Sequence, residues 1–167
     1  MQVVITCETL VFCKIVVLIM KKYKIGYTQG TYDMFHIGHL NLLRHAKERC
    51  ETLIVGINSD ELVLRYKNKI PVVNENDRKE IVKEMRCVDG VVLCDTLRKT
   101  EMWEKIHFEA IFIGSDWKGN ARWEQTEKDL APLGAEVVYL QHTDGISSSL
   151  LRTKENLKVG EEMNENE

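Results

Sequence analysis

The chain has 167 residues, 44% of them hydrophobic and 29% charged, a size and balance that suit one globular domain with its own core. A formal charge of −3 gives no general attraction to nucleic acid or anionic lipid, so any basic surface must be local to a site and small-molecule chemistry fits best. Five cysteines without a C-x-x-C pair argue against a disulfide framework or a structural zinc and for reduced thiols in a cytoplasmic protein, most of them core filler.

Residues 1–20 form an apolar N-terminal extension. Leu10 to Met20 is apolar except for Lys14, but its unbroken stretches are too short to cross a bilayer. Its flanks do not make a secretory signal either, with Glu8 as the only early charge and Met20-Lys21-Lys22 at the end. We expect Met20 to be the true start; an extra edge strand or a loosely packed helix is the competing reading.

Next, Lys24 to Gln29 reads as a strand, and Leu40, Leu43, Ala46 and Cys50 recur at helical spacing through LNLLRHAKERC. Between them lies Gly30-Thr31-Tyr32-Asp33-Met34-Phe35-His36-Ile37-Gly38-His39, a turn that caps a helix. A helix N-terminus offers unpaired N–H groups and a partial positive charge, and so holds anions with its own backbone. Gly38 lets a phosphate approach the chain closely, and His36 and His39 can aim N–H donors at the same oxygens. An H-x-x-H pair can also bind metal, but no further Cys or His ligand stands at suitable spacing.

The apolar runs Leu53 to Ile57, Gly90 to Leu93, Ala110 to Ile113 and Ala135 to Leu140 have strand length, and helical patterns cover Glu75 to Arg86, Glu101 to His107 and Trp123 to Leu133. This alternation predicts an α/β, Rossmann-like three-layer fold with a five-stranded parallel sheet over residues 21–155. Ligands in such sheets bind beyond the carboxyl ends of the strands. The histidine turn follows the first strand, Ser115-Asp116-Trp117 the fourth and Gly145-Ile146-Ser147-Ser148-Ser149 the fifth, so the three should meet at one edge. Residues 156–167 form an acidic tail expected to be disordered.

The motif G-T-Y-D-x-x-H-x-G-H resembles the signature of the cytidylyltransferase family within the HxGH nucleotidyltransferase superfamily. Supporting anchors are Asn58-Ser59-Asp60-Glu61, Arg65-Tyr66-Lys67, Asp77-Arg78-Lys79, Met85-Arg86-Cys87-Val88-Asp89 and Gly114-Ser115-Asp116-Trp117-Lys118-Gly119. The likeness runs from Lys22 to Thr153 and is greatest to the bacterial glycerol-3-phosphate cytidylyltransferase branch. It implies catalytic roles for His36, His39 and Lys67, the last on a mobile loop between the reacting phosphates. It implies nucleotide contacts for Gly30, Thr31, Tyr32, Ile37 and Gly38, and again for His142, Thr143, Gly145, Ile146, Ser147, Ser148, Ser149 and Arg152. On the substrate side it implies Asp33, Lys69, Arg78, Arg86, Asp116 and Trp117, with Arg86 on the acceptor phosphate and Arg78 matching an arginine near the same helix. The aspartates would orient the site or support metal and ribose contacts, and Trp117 would wall the pocket or serve as a core or dimer contact. Mg²⁺ is expected with the nucleotide triphosphate, its ligands left open, and the resemblance implies a homodimer.

One departure stands out. Where the family reads R-T-E-G-I-S this chain has His142-Thr143-Asp144-Gly145-Ile146-Ser147, which exchanges a permanent cation for a group largely neutral at pH 7. Arg152 is the candidate to compensate, because Ile146 to Arg152 also resembles the I-S-S-T-x-x-R motif of the adenylyltransferase branch. The expected function is CMP transfer from CTP to a small phosphorylated alcohol, foremost sn-glycerol 3-phosphate, giving CDP-glycerol for a teichoic acid or capsule. An adenylyltransferase acting on a sugar phosphate or cofactor precursor, or a nucleotide-binding module without activity, are the alternatives. The short acidic C-terminus lacks the amphipathic helix expected of a choline-phosphate enzyme, so neither a membrane nor nucleic acid is an expected partner.

Overall fold

A computed structural model describes residues 22–153; the expectations for residues 1–20 and 156–167 lie outside the described residues. Five strands make one sheet: β1 (Tyr23–Gly30), β2 (Cys50–Asn58), β3 (Gly90–Cys94), β4 (Ala110–Gly114) and β5 (Glu136–Leu140). Their order is β3-β2-β1-β4-β5, and every neighbouring pair is parallel. The chain therefore starts in the middle, builds outward to β3, and crosses back to add β4 and β5 on the other side of β1. The point of reversal lies between the carboxyl ends of β1 and β4, where a Rossmann-like sheet opens a crevice.

The alternation of side chains divides the core into two layers. Leu53, Val55 and Ile57 of β2 and Phe112 of β4 pack with Leu43 and Ala46 of helix α1 (Ile37–Lys47) and Val82 of helix α3 (Glu75–Lys83). Ile111 and Ile113 of β4 face the opposite way, onto Met102 of helix α4 (Lys99–Ile106) and Trp123 and Leu130 of helix α5 (Ala121–Leu130). Period two within a strand thus places helices on both faces, as an all-parallel sheet requires. No helix among the described residues is long and apolar enough to cross a membrane. Cys50 and Cys94 are buried in the core and Cys87 is half-buried.

Three elements differ from the sequence reading. Helix α2 (Asp60–Lys67) carries the lysine that the resemblance places on a mobile loop. Ser59 caps it by accepting from Leu62 N, acids fill its first turn, and Asn68 ends it in the left-handed conformation. Cys50 belongs to β2, not to the first helix; its Sγ donates to Ala46 O at 3.3 Å. Helix α3 ends at Lys83, before Arg86. At the end of α5, Pro132 accompanies a tightening into a 3₁₀ turn, Ala131–Leu133.

Candidate active site

The turn after β1 is held in an unusual shape. Tyr32 and Met34 have φ of 55° and 50°, a region that costs energy for residues other than glycine and needs outside support. Asp33, 4% exposed, supplies part of that support. Its carboxylate accepts from Val72 N and Val73 N at 3.1 and 3.0 Å and pairs with Arg152, and its carbonyl accepts from Ser148 Oγ at 2.8 Å. Burial pushes the Asp33 carboxyl up, but those amides and the guanidinium outweigh it and hold the group below its ordinary pKa. Asp33 thus braces the turn that carries the histidines, in keeping with the orienting role expected of it, and it also lines a second cavity beside the turn.

His36 is the N-cap of α1, and the two imidazoles form the capping box that Ser and Glu make elsewhere. Gly38 N donates to His36 Nδ1 at 3.1 Å, and His36 N donates to His39 Nδ1 at 3.4 Å. With Nδ1 accepting in both rings, the proton of each neutral imidazole sits on Nε2. The rings stack with centroids 3.8 Å apart. Burial, then the neighbouring His36, push His39 down to about 3, and burial, then His142, hold His36 below its usual value. Both rings are thus neutral N–H donors at neutral pH. A Cβ on Gly38 would come within 3.0 Å of the His36 ring, so glycine at this position preserves the cap.

Both rings line a cavity of about 370 Å³ at the carboxyl ends of β1 and β4. The same cavity takes Gly30, Thr31, Tyr32 and Gly38 from the first motif, Asp116 and Trp117 from the turn after β4, and Thr143, Ile146, Ser147, Ser148 and Ser149 from beyond β5. The three motifs meet as their places at strand ends require. Ser147 Oγ accepts from Leu150 N at 3.1 Å, which starts the helical residues 148–153. Thr143 Oγ1 accepts from Asn41 Nδ2 at 3.2 Å and ties this segment to α1. His142 also lines the cavity, with its Nδ1 3.5 Å from Asp116 Oδ1. Lys67, at the end of α2 and not on a loop, donates to Thr31 Oγ1 at 3.4 Å.

Other expected residues fall elsewhere. Ile37 is 49% exposed and does not line the cavity, and Gly145 serves a turn at φ 78°. Arg78 is 1% exposed, and each of its three nitrogens has a partner within the protein. Its Nε donates to Val73 O at 2.8 Å, one terminal nitrogen to Thr31 O, and the other to Asp60 Oδ1 at 2.6 Å. It locks the turn after β1 to α2 and α3 and lines none of the cavities described. Arg86 lies exposed past the end of α3 and lines none of the cavities described. Arg152 pairs with Asp33 and donates to Ile70 O at 3.4 Å. It borders a second cavity of about 530 Å³ with Lys67 and Lys69, so it does not replace the cation missing at His142 in the main cavity.

Sequence reading missed Lys99, the first residue of α4. It is 9% exposed, lines the main cavity, and donates to Gln29 Oε1 and Leu97 O, both at 2.9 Å. Burial, then Arg122, push its ammonium down to about 8. No motif marks it; the available signal was its place shortly after a parallel strand, on the edge where ligands bind. Among the described residues, no group of three or more His, Cys, Asp or Glu could hold a metal ion.

A parallel sheet in this order, with a histidine-capped helix at its switch point, is the framework of a nucleotidyltransferase. The sequence profile described as cytidylyltransferase-like matches residues 27–154, and the chain belongs to that family of enzymes. It is 34% identical over 126 residues to a glycerol-3-phosphate cytidylyltransferase of Staphylococcus aureus, covering 75% of this chain and 89% of that protein. The Bacillus spizizenii protein of the same name is 35% identical over 126 residues, covering 75% and 92%. The bifunctional protein HldE of Hyphomonas neptunium is 34% identical over 95 residues, covering 56% of this chain and 20% of that protein, so the chain spans only about a fifth of that relative. Among solved structures, a lipopolysaccharide core biosynthesis protein from Thermoplasma volcanium superposes with a TM-score of 0.63 at 23% identity, covering 73% of this chain and 99% of the other. Pantothenate synthetase from Thermus thermophilus superposes at 0.56 with 13% identity, covering 79% and 60%. These last two show a shared fold.

Proposed function

We propose that the chain transfers CMP from CTP, carried as its Mg²⁺ complex, to sn-glycerol 3-phosphate, releasing CDP-glycerol and pyrophosphate. The observation that carries the chemistry is the pair of neutral, Nε2-protonated imidazoles that cap α1 over the main cavity. An ionised phosphate oxygen of the acceptor attacks the α-phosphorus, a new P–O–P bond forms, and the bond to the β-phosphate oxygen breaks. No protein nucleophile or strong base is needed. The enzyme supplies orientation and donors for the negative charge that gathers in the transition state.

His36 and His39 give their Nε2–H groups to the nucleotide phosphates, and the hydroxyls of Ser147 and Ser149 with the start of the last helix hold the triphosphate. Lys67 lines both cavities and can neutralise the reacting phosphates from one side while Lys99 receives the acceptor phosphate on the other. Lys69 stands beside the departing pyrophosphate in the second cavity. Of the two aspartates, Asp116 is the one that lines the main cavity. The similarity to glycerol-3-phosphate cytidylyltransferases along nearly their full length supports the choice of acceptor, and a cytoplasmic homodimer completes this reading.

A second reading, adenylyl transfer to a sugar phosphate, is favoured by His142 in place of arginine and by the sequence from Ile146 to Arg152. Pyrophosphate release decides between them. CTP and ATP, each with Mg²⁺, are crossed with glycerol 3-phosphate, phosphoethanolamine, phosphocholine and hexose phosphates. We expect release with CTP and glycerol 3-phosphate; release with ATP and a sugar phosphate alone overturns the proposal.

A further inference from the structure

Helices α4 and α5 begin at the end of the main cavity that holds Lys99. Arg122, the second residue of α5, lines this cavity and also a groove of about 970 Å³ beside α4 and α5, so it stands where the two spaces meet. Its guanidinium lies 5.2 Å from the Trp117 ring centre, a stack that positions the group without neutralising it. Among the described residues no carboxylate pairs with Arg122. Asp116, which shares the cavity, lies beside His142. The partners of Lys99 are the neutral oxygens of Gln29 and Leu97, and Arg122 lowers its proton affinity. Two cations therefore line one cavity, and among the described residues neither has a carboxylate partner. Trp123 lines the same cavity, and its indole Nε1 is buried without a hydrogen-bond partner, a second donor short of an oxygen.

We propose that Arg122 is the acceptor-selecting residue: its guanidinium takes an oxygen of the acceptor's organic part and, with Lys99, turns away phosphomonoesters whose other end is positively charged. This rests on the reading of the cavity as a site of nucleotidyl transfer to a phosphomonoester. Charge sets the direction of selection. Hydroxylated, uncharged tails satisfy the free donors, whereas an ammonium or trimethylammonium head meets like charge in a partly desolvated space. Trp117 contributes by holding the guanidinium over its ring.

The test compares wild type with Arg122→Glu and Arg122→Gln, using steady-state pyrophosphate release from CTP with glycerol 3-phosphate or phosphoethanolamine as acceptor. Position 122 is exposed and in the first turn of a helix, where glutamate suits the helix dipole, and thermal melting verifies that each variant is folded. Arg122→Glu should raise KM for glycerol 3-phosphate about tenfold or more and leave KM for CTP within about twofold. It should also raise the kcat/KM ratio of phosphoethanolamine to glycerol 3-phosphate about tenfold, with Arg122→Gln in between. An active wild type whose acceptor ratio is unchanged in Arg122→Glu overturns this inference alone. A wild type that releases no pyrophosphate from CTP with either acceptor overturns the underlying reading and this inference with it.

Discussion

Arg78→Met separates a structural arginine from a substrate-binding one. The replacement keeps the apolar stem and deletes the donors to Val73 O, Thr31 O and Asp60 Oδ1. The side chain is fully buried, while that of Asp60 is 35% exposed, so the carboxylate can be rehydrated and the main loss falls on the two carbonyls. Unpaired buried acceptors cost ~1–3 kcal/mol each, so the two carbonyls together cost about 2–6 kcal/mol. For a domain of this size that lowers Tm by roughly 4–24 °C. Melting followed by circular dichroism gives the stability. KM for the acceptor, measured well below the variant's Tm, gives the functional effect, which should stay within a few-fold. A variant that melts like wild type while its acceptor KM rises tenfold or more would show that the guanidinium works on the substrate, and the structural assignment would fail.

His39→Ala removes one phosphate donor and a long 3.4 Å cap bond. It should lower kcat about 10²–10³-fold and cost the fold only ~1 kcal/mol; unchanged turnover refutes its role. Lys99 titrates near 8 in the folded protein against an ordinary lysine value of 10.5. Acceptor kcat/KM should therefore fall as pH rises through about 8, and in Lys99→Arg this alkaline limb should vanish. The stability contribution has the opposite sign. Between about 8 and 10.5 the unfolded chain binds the extra proton, so the penalty of the buried ammonium, full below 8, is relieved as pH rises through that window. Urea titrations of wild type and Lys99→Met across that range measure it; parallel pH dependences would contradict it.

The sheet and the meeting of the motifs were legible because both depend on local signals. Apolar runs, a glycine- and histidine-rich turn and strand-end positions fix which edge carries chemistry, whatever the details of packing. Helix α2 was legible in principle, since Ser59 followed by Asp60 and Glu61 is an N-cap pattern; the family picture of a mobile lysine hid it. The arginines show the opposite limit. Arg78 and Arg86 both belong to the stretch around α3 in sequence, and only tertiary geometry tells that one is locked under three oxygens while the other lies exposed. Lys99 is similar: its depressed proton affinity comes first from burial, with Trp123 of another helix beside it, and then from Arg122 on that helix, information spread across more than twenty positions of chain.

The turn that carries His36 takes its shape from distant sequence, through Val72 and Val73 and finally through Ser148 and Arg152. During synthesis the chain emerges N-terminus first, so β1 and its histidines leave the ribosome long before the residues that brace them. The sheet can begin to assemble around β1, but Asp33 lacks its guanidinium partner until the last helix docks. The brace on the histidine turn is therefore completed only after residues 148–153 have been made, and translation that stops short of Ser148 yields a nascent chain whose histidine turn lacks it.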